Sequence, residues 1–293
     1  MYLYLNGSYV KSPEAAISPF DHGFLYGLGL FETFRTYDGH PFLLDDHFQR
    51  LHESAAEMGI VLPSYNREAV QDTIAQLLRR NRLTDGYFRW NVSAGEREIG
   101  FSATEYCEPN IIVFVKALPE MTVKEKRGLV LTQRRNTPEG ALRLKSHHFF
   151  NNIIGKREAG SDPSVEGIFL TADDFVAEGV VSNIFWVKRN TLFTPSPASG
   201  ALNGITRQFV MLLAKRCGYE VKVGLFDKNQ LLDAEEAFIT NSIQELTPLS
   251  DIDGLSYAGK NGPVVRALQT AYRNCTAASL WSRFDLLKGD LME

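Results

Sequence analysis

The chain has 293 residues, a length that suits two modest domains better than one. Hydrophobic residues make up 44% and charged residues 23%, so ordinary globular cores can form. The formal net charge is −4 and acidic and basic residues are mixed along the chain, which argues against a nucleic-acid surface. No stretch approaches the ~20 apolar residues that span a bilayer. The three cysteines are scattered and favour neither a disulfide framework nor a metal site. We therefore expect a cytoplasmic protein without nucleic-acid, membrane or metal partners.

The first part of the chain carries both strand and helix signals. Asn6-Gly7 is a strong two-residue turn signal, so residues 2–10 are predicted to form a hairpin. A strand, two helices and two further strands are predicted next, over residues 31–37, 43–58, 67–80, 87–94 and 110–116. Gly59 is expected to close the first helix at its C-cap. Pro119 interrupts the apolar run in the stretch 117–122, which predicts the domain junction there.

The remainder of the chain is richer in strand signals. Two hairpins are predicted, one over 167–171 and 175–180 and one over 182–187 and 191–194. Further strands are expected over 129–133, 220–223 and 236–240, helices over 151–158 and 206–217, and a helical region at the C-terminus. The pattern predicts an α+β or mixed α/β architecture, with a small N-terminal domain at 1–118 and a larger C-terminal domain at 123–293.

Three local features suit chemistry, and each has an alternative interpretation. Lys145 stands before a predicted helix, where a lysine can act as a nucleophile, although a lone lysine there is most often a solvated strand-edge residue. Gly204 and Thr206 begin a helix whose free N–H groups suit an anion, or Thr206 simply caps that helix. Glu178 lies among apolar strands, either buried beside a positive partner or exposed in a turn. His147 and the neighbouring His148 are interpreted as packing or capping residues.

Several segments together resemble a known family. Residues 21–27 (DHGFLYG), 31–35 (FETFR) and 47–51 (HFQRL) are similar to the N-terminal signature of class IV, or fold type IV, aminotransferase-like pyridoxal-phosphate enzymes. Later blocks follow in the same order, at Lys145, at Glu178 with residues 182–183, and at residues 204–206 and 240–242. The resemblance spans nearly the whole chain. It implies a two-domain fold of the D-amino-acid aminotransferase type, with the cofactor at the domain interface.

The resemblance implies a role for individual residues. Lys145 would carry pyridoxal 5'-phosphate as a Schiff base, Arg50 would pair with the phosphate, and Glu178 would face the pyridine nitrogen. Ile205 and Thr206 would supply backbone donors to the phosphate. The full set of expected cofactor residues is Arg50, Lys145, Glu178, Ser182, Asn183, Gly204, Ile205, Thr206, Asn241 and Ser242. Members of the family are typically homodimers in which the partner chain closes part of the pocket.

The chain departs from the family pattern at three places. Gly27-Leu28-Gly29 replaces a common Gly-Asp-Gly, and Asn241-Ser242 replaces a threonine-rich phosphate segment. Phe149 and Phe150 stand where branched-chain enzymes often have a tyrosine near the cofactor hydroxyl. The last difference disfavours a branched-chain aminotransferase.

Other positions bear on the choice of reaction. The threonine at position 33 is similar to the residue that lyases of the family have at the corresponding position. Residues 134–140 and 143–148 look very similar to bacterial 4-amino-4-deoxychorismate lyases. The resemblance favours a lyase of folate biosynthesis that forms 4-aminobenzoate and pyruvate, with Lys145 and Thr33 catalytic and Phe31, Tyr87 and Arg89 binding the substrate. Tyr87-Phe88-Arg89 also resembles a carboxylate-binding motif of branched-chain enzymes. A branched-chain or D-amino-acid aminotransferase therefore stays open, as does a catalytically silent binding protein, against which the presence of Lys145 argues.

Overall fold

The computed structural model describes residues 1–120 and 125–288, which divide into two compact units. Within those ranges, the first unit consists of Met1–Pro119, Leu144–His148 and Ser279–Asp285, and the rest forms the second unit. No helix in the described part of the chain is long and apolar enough to cross a membrane.

The first unit is built on an antiparallel sheet of six strands. Its elements are β1 (Tyr2–Leu5), β2 (Ser8–Lys11), α1 (His22–Tyr26), β3 (Gly29–Tyr37), β4 (His40–Pro41), α2 (Leu44–Glu57), α3 (Arg67–Asn81), β5 (Tyr87–Ser93) and β6 (Asn110–Lys116). The strand order is β2-β1-β6-β5-β3-β4. The hairpin predicted around Asn6-Gly7 is confirmed, and both turn residues have positive φ, 45° and 91°.

One face of this sheet carries the core of the first unit. Leu30 and Phe34 of β3 are fully buried and belong to the same apolar cluster as Leu44 and Phe48 of α2. Helix α2 has its C-cap at Met58, and Gly59 follows at φ 67°, so the glycine lies one position beyond the predicted cap. Because side chains alternate along a strand, the residues between Leu30 and Phe34 that face away from the core are available for a site.

The second unit is built on a mixed sheet of nine strands. Its elements are β7 (Lys126–Val130), α4 (Phe150–Ala159), β8 (Val165–Leu170), β9 (Val176–Gly179), β10 (Asn183–Lys188), β11 (Thr191–Pro195), α5 (Ile205–Arg216), β12 (Glu220–Gly224), α6 (Lys228–Leu232), β13 (Glu236–Asn241), β14 (Glu245–Ile252), β15 (Leu255–Ser256) and α7 (Pro263–Ala277). The strand order is β12-β11-β10-β13-β14-β7-β8-β9, and β15 pairs with β14. Both predicted hairpins are present, as β8–β9 and β10–β11.

Strands β7 and β14 differ from the expectation drawn from the sequence. The strand expected over 129–133 lies at Lys126–Val130, because the N–H groups of Thr132 and Gln133 donate to the carboxylate of Glu158 instead of a neighbouring strand. Strand β14 was not predicted. It contains Pro248, which cannot donate to a ladder, and it begins at Glu245 with φ 59°.

The division into units also differs from the sequence-based boundary in two segments. Leu144–His148 and Ser279–Asp285 belong to the first unit, although both lie within the predicted 123–293 domain. The former pairs with β3, where the N–H of Phe31 donates to the carbonyl of Lys145 at 2.9 Å. Such a contact joins residues that are distant in sequence and leaves no local pattern. The ends of the predicted domain, residues 123–124 and 289–293, lie outside the described residues.

Candidate active site

The face of the first sheet opposite its core gathers the predicted substrate residues. In the β3–β5 pair, Thr33 lies opposite Arg89, and Phe31 lies opposite Asn91. Tyr87 is two residues before Arg89 and therefore points to the same face. The structure thus brings Phe31, Thr33, Tyr87 and Arg89 to one surface of the sheet.

Lys145 joins this group through the pairing of its segment with β3. Its Nζ lies 4.5 Å from the centre of the Phe31 ring, and the guanidinium carbon of Arg89 lies 3.5 Å from the same centre. Contacts of this kind between a cation and an aromatic ring are attractive. Lys145 is therefore half-buried beside the predicted substrate residues and is not a solvated strand-edge lysine.

Arg50 lies on α2 and is held by a buried carboxylate. Its Nε and Nη2 donate to the two oxygens of Glu32, each at 2.7 Å, and His47 Nδ1 contacts Glu32 Oε2 at 2.7 Å. Burial acts to raise the pKa of Glu32, but the charges and hydrogen bonds of Arg50 and His47 outweigh it and hold the pKa at about 2. Glu32 alternates with Phe31 and Thr33 along β3, so Arg50 lies on the α2 side of the strand. Glu32 was not among the site residues predicted from the sequence.

Glu178 is a buried residue of β9 and not a turn glutamate. Its Oε1 accepts a hydrogen bond from Arg135 Nε at 2.8 Å, and its Oε2 accepts one from the N–H of Leu202 at 2.9 Å. Arg143 Nε is 3.8 Å from the same carboxylate. Burial and then the charge of Arg135 lower the pKa of Arg143 to about 10. Glu178 therefore has the cationic partners that a buried carboxylate requires, and neither Arg135 nor Arg143 was among the site residues predicted from the sequence.

The start of α5 has the donors that a phosphate needs. Gly204 is its N-cap residue, without a side-chain cap and with no acid in the first turn, so the leading N–H groups stay available for an anion. Thr206 Oγ1 and Ser242 Oγ lie 3.3 Å apart. Within the described chain, the buried hydroxyl of Thr240 has no hydrogen-bond partner. The donors at the start of α5 and at Ser242 fit the phosphate of the implied cofactor.

Arg207 adds a buried positive charge to the first turn of α5. Its guanidinium donates to three neutral oxygens, Thr194 Oγ1 at 3.2 Å, Asn203 Oδ1 at 3.0 Å and the carbonyl of Pro195 at 2.8 Å. Burial lowers the pKa of Arg207 to about 10. Its charge lies near the positive end of the helix dipole, where it further favours an anion. The only sequence signal was its place beside Thr206.

Three further predicted cofactor residues, Ser182, Asn183 and Asn241, are each hydrogen-bonded to another group of the protein. Asn183 Nδ2 donates to the carbonyl of Leu202 at 2.8 Å. Ser182 Oγ donates to buried Glu166 at 2.7 Å, and Glu166 pairs with Lys126 at 3.5 Å. Asn241 Oδ1 accepts from two backbone N–H groups of the turn before β14. The structure therefore shows these three side chains in contacts within the protein, and their role toward the cofactor stays a prediction.

Gly204→Ala should weaken retention of pyridoxal phosphate by at least about tenfold, or ~1.4 kcal/mol. A Cβ at this position would clash with Asn183 Oδ1, so either the Asn183 side chain, which bonds to the carbonyl of Leu202, or the start of α5 would have to shift. Titration of the apoprotein with the cofactor measures the effect. Gly218→Ala is the control, because a Cβ there meets nothing within 4 Å, although φ is +83°. Equal cofactor affinity in the two variants would contradict the role of Gly204.

The sequence profile of the amino-transferase class IV family matches residues 29–252. The chain belongs to this family, which confirms the predicted fold class, and it is accordingly a pyridoxal-phosphate enzyme.

Two named relatives and one solved structure are similar to this chain over nearly its whole length. The aminodeoxychorismate lyase of Bacillus subtilis (strain 168) is 46% identical over 274 residues, which cover 92% of this chain and 93% of that protein. The D-alanine aminotransferase of Bacillus licheniformis is 30% identical, over 94% of this chain and 96% of that protein. The solved branched-chain aminotransferase of Thermoproteus uzoniensis, determined with norvaline, has a TM-score of 0.85 and 28% identity, covering 97% of each chain.

Proposed function

We propose that this enzyme is a lyase that converts 4-amino-4-deoxychorismate to 4-aminobenzoate and pyruvate, a step of folate biosynthesis. The observation that carries the proposal is the 46% identity to the aminodeoxychorismate lyase across nearly the whole chain. Thr33, placed opposite Arg89, supports the same choice. Transfer of an amino group from D-alanine or branched-chain amino acids is the second candidate, because relatives with 30% identity carry those names.

The proposal assigns Lys145, Arg50, Glu178 and the start of α5 to binding of the cofactor. Glu178, with its cationic partners, suits a protonated ring nitrogen, and the donors at Thr206 and Ser242 suit the phosphate. Bound pyridoxal phosphate supplies an electron sink for the carbon that carries the amino group.

The residues around Lys145 then account for the elimination. Lys145 Nζ takes the proton from the ring carbon that bears the amino group, acting as a general base. The bond between the neighbouring ring carbon and the enolpyruvyl oxygen breaks, and Lys145 returns the proton to the departing group, which leaves as pyruvate. Thr33 donates a hydrogen bond to this group, and Arg89 binds a substrate carboxylate. Formation of the aromatic ring drives the step forward.

We also propose that the enzyme is a cytoplasmic homodimer. Three apolar side chains of the first unit support an association surface, since Phe24, Ile99 and Phe101 are 71%, 73% and 93% exposed. Exposed aromatic groups of this kind often mark protein interfaces.

Purified enzyme mixed with 4-amino-4-deoxychorismate should release 4-aminobenzoate and pyruvate without any keto-acid acceptor. An elimination needs only a proton shuttle and the bound cofactor, whereas a transaminase requires a second substrate to complete its cycle. Product formation is followed by the fluorescence of 4-aminobenzoate and by a coupled pyruvate assay. Product that appears only after addition of a keto acid would contradict the lyase, as would a failure to form product while leucine or D-alanine is turned over.

A further inference from the structure

Arg89 on β5 is a cation for which the described chain provides no carboxylate partner. Its Nε and Nη2 donate to Asn91 Oδ1 at 3.3 and 3.2 Å, and the Phe31 ring covers one face of the guanidinium. Burial lowers the pKa of Arg89 from its usual value. Because a charge withdrawn from water is costly without a counter-ion, this position favours an anionic ligand.

The oxygen that holds Arg89 is shared with a histidine. His147 Nε2 lies 3.1 Å from Asn91 Oδ1. A guanidinium can only donate, so the Asn91 atom that faces it is the oxygen, and His147 Nε2 must carry a proton to bond the same atom. Burial, and then the charge of Arg89, lowers the pKa of His147 to about 4. The imidazole is therefore neutral at pH 7 and adds no charge of its own.

The structure fixes this histidine from two sides. Its backbone N–H donates to the carbonyl of Gly29 at 2.9 Å, in the same pairing that places Lys145 beside β3. A Cβ on Gly29 would lie 2.2 Å from the imidazole Cε1 of His147. Glycine at position 29 is therefore required to leave room for the imidazole ring. Asn91 is itself buried, with 8% exposure. Asn91 Oδ1 is thus held in a fixed position as the acceptor for Arg89.

We propose that His147 and Asn91 are positioning residues that hold Arg89 for a carboxylate of the substrate. The inference rests on the proposed function in treating Arg89 as a substrate contact. An amide oxygen orients the guanidinium and leaves its charge intact, whereas a carboxylate at position 91 would form a charge-assisted pair with it. The edge of the guanidinium at Nη1, which has no partner among the described residues, is left for the ligand.

Asn91→Asp tests the charge argument, because aspartate retains an acceptor of nearly the same shape and adds a negative charge. We expect KM for 4-amino-4-deoxychorismate to rise at least tenfold while kcat stays within threefold. Asn66→Asp is the matched control, since Asn66 is an exposed N-cap of α3 where aspartate serves equally well. Cofactor absorbance and melting temperature show whether the variant is folded. An unchanged KM, or a fall in kcat with the KM of the wild type, overturns the inference.

His147 provides a second test that does not depend on Asn91→Asp folding. His147→Gln keeps an N–H donor and should retain most of the affinity for substrate, whereas His147→Leu removes the donor and should raise KM three- to tenfold. Equal KM values in these two variants overturn the inference. Failure of the proposed function has a different signature, because the wild type would then not convert 4-amino-4-deoxychorismate. In that event the same KM values are compared with L-leucine as the amino donor and a keto acid as the acceptor, since L-leucine also carries a carboxylate.

Discussion

Lys145→Ala should lower kcat by about three orders of magnitude or more and remove the visible Schiff-base absorbance of the enzyme. Alanine cannot bond covalently to the cofactor and cannot carry the proton between the two carbons of the elimination. The fold should persist, because the segment pairs with β3 through backbone atoms that alanine retains, such as the carbonyl of Lys145 that accepts from Phe31. The loss of activity would then be caused by removal of the lysine side chain and not by unfolding.

The measurement combines spectra with chemical trapping. Borohydride reduction of the wild type should fix the cofactor on the peptide that contains Lys145, as detected by mass spectrometry, and the variant should yield no such adduct. Lys156→Ala is the control, because Lys156 is an exposed lysine of α4 outside the set of proposed cofactor residues. Full activity in the Lys145 variant would exclude the central role given to this residue.

Local pattern predicted much of the framework around this lysine. The alternation of β3, the Asn6-Gly7 turn and strand β6 at Asn110–Lys116 all follow from short-range preferences that the fold did not override. The position of Lys145 beside Phe31 did not follow in this way. It depends on a pairing between segments distant in sequence, and only the family resemblance distinguished Lys145 from an ordinary surface lysine.

The partners of the charged site residues were harder to predict than the residues themselves. Glu178 stands out by its apolar surroundings, but Arg135 lies in a loop after β7 where no periodicity indicates its direction. A usable signal did exist for Glu32. It falls between Leu30 and Phe34, which alternate toward the core, so an acid there required buried positive partners. His47 and Arg50 are three residues apart on α2, on one side of that helix, and supply them.

Glu32→Gln should reduce the free energy of unfolding by about 3 kcal/mol at pH 7. The carboxylate is 1% exposed, and its pKa is about 2 in the folded protein against an ordinary value of 4.5. A lowered folded-state pKa contributes stability that is fully present above pH 4.5 and is lost as the pH falls toward 2. Glutamine removes this contribution and also leaves the charge of Arg50 without its partner.

Urea unfolding of the wild type and Glu32→Gln, followed by circular dichroism at several pH values, checks both the size and the sign of this effect. The difference in stability should be largest at neutral pH and should shrink to less than about half by pH 3, because protonation of Glu32 in the unfolded chain increasingly opposes folding of the wild type. Glu57→Gln, at an exposed position near the end of the same helix, should change stability by no more than about 0.5 kcal/mol. A difference that is constant between pH 7 and pH 3 would show that the buried charge of Glu32 is not what stabilises the first unit.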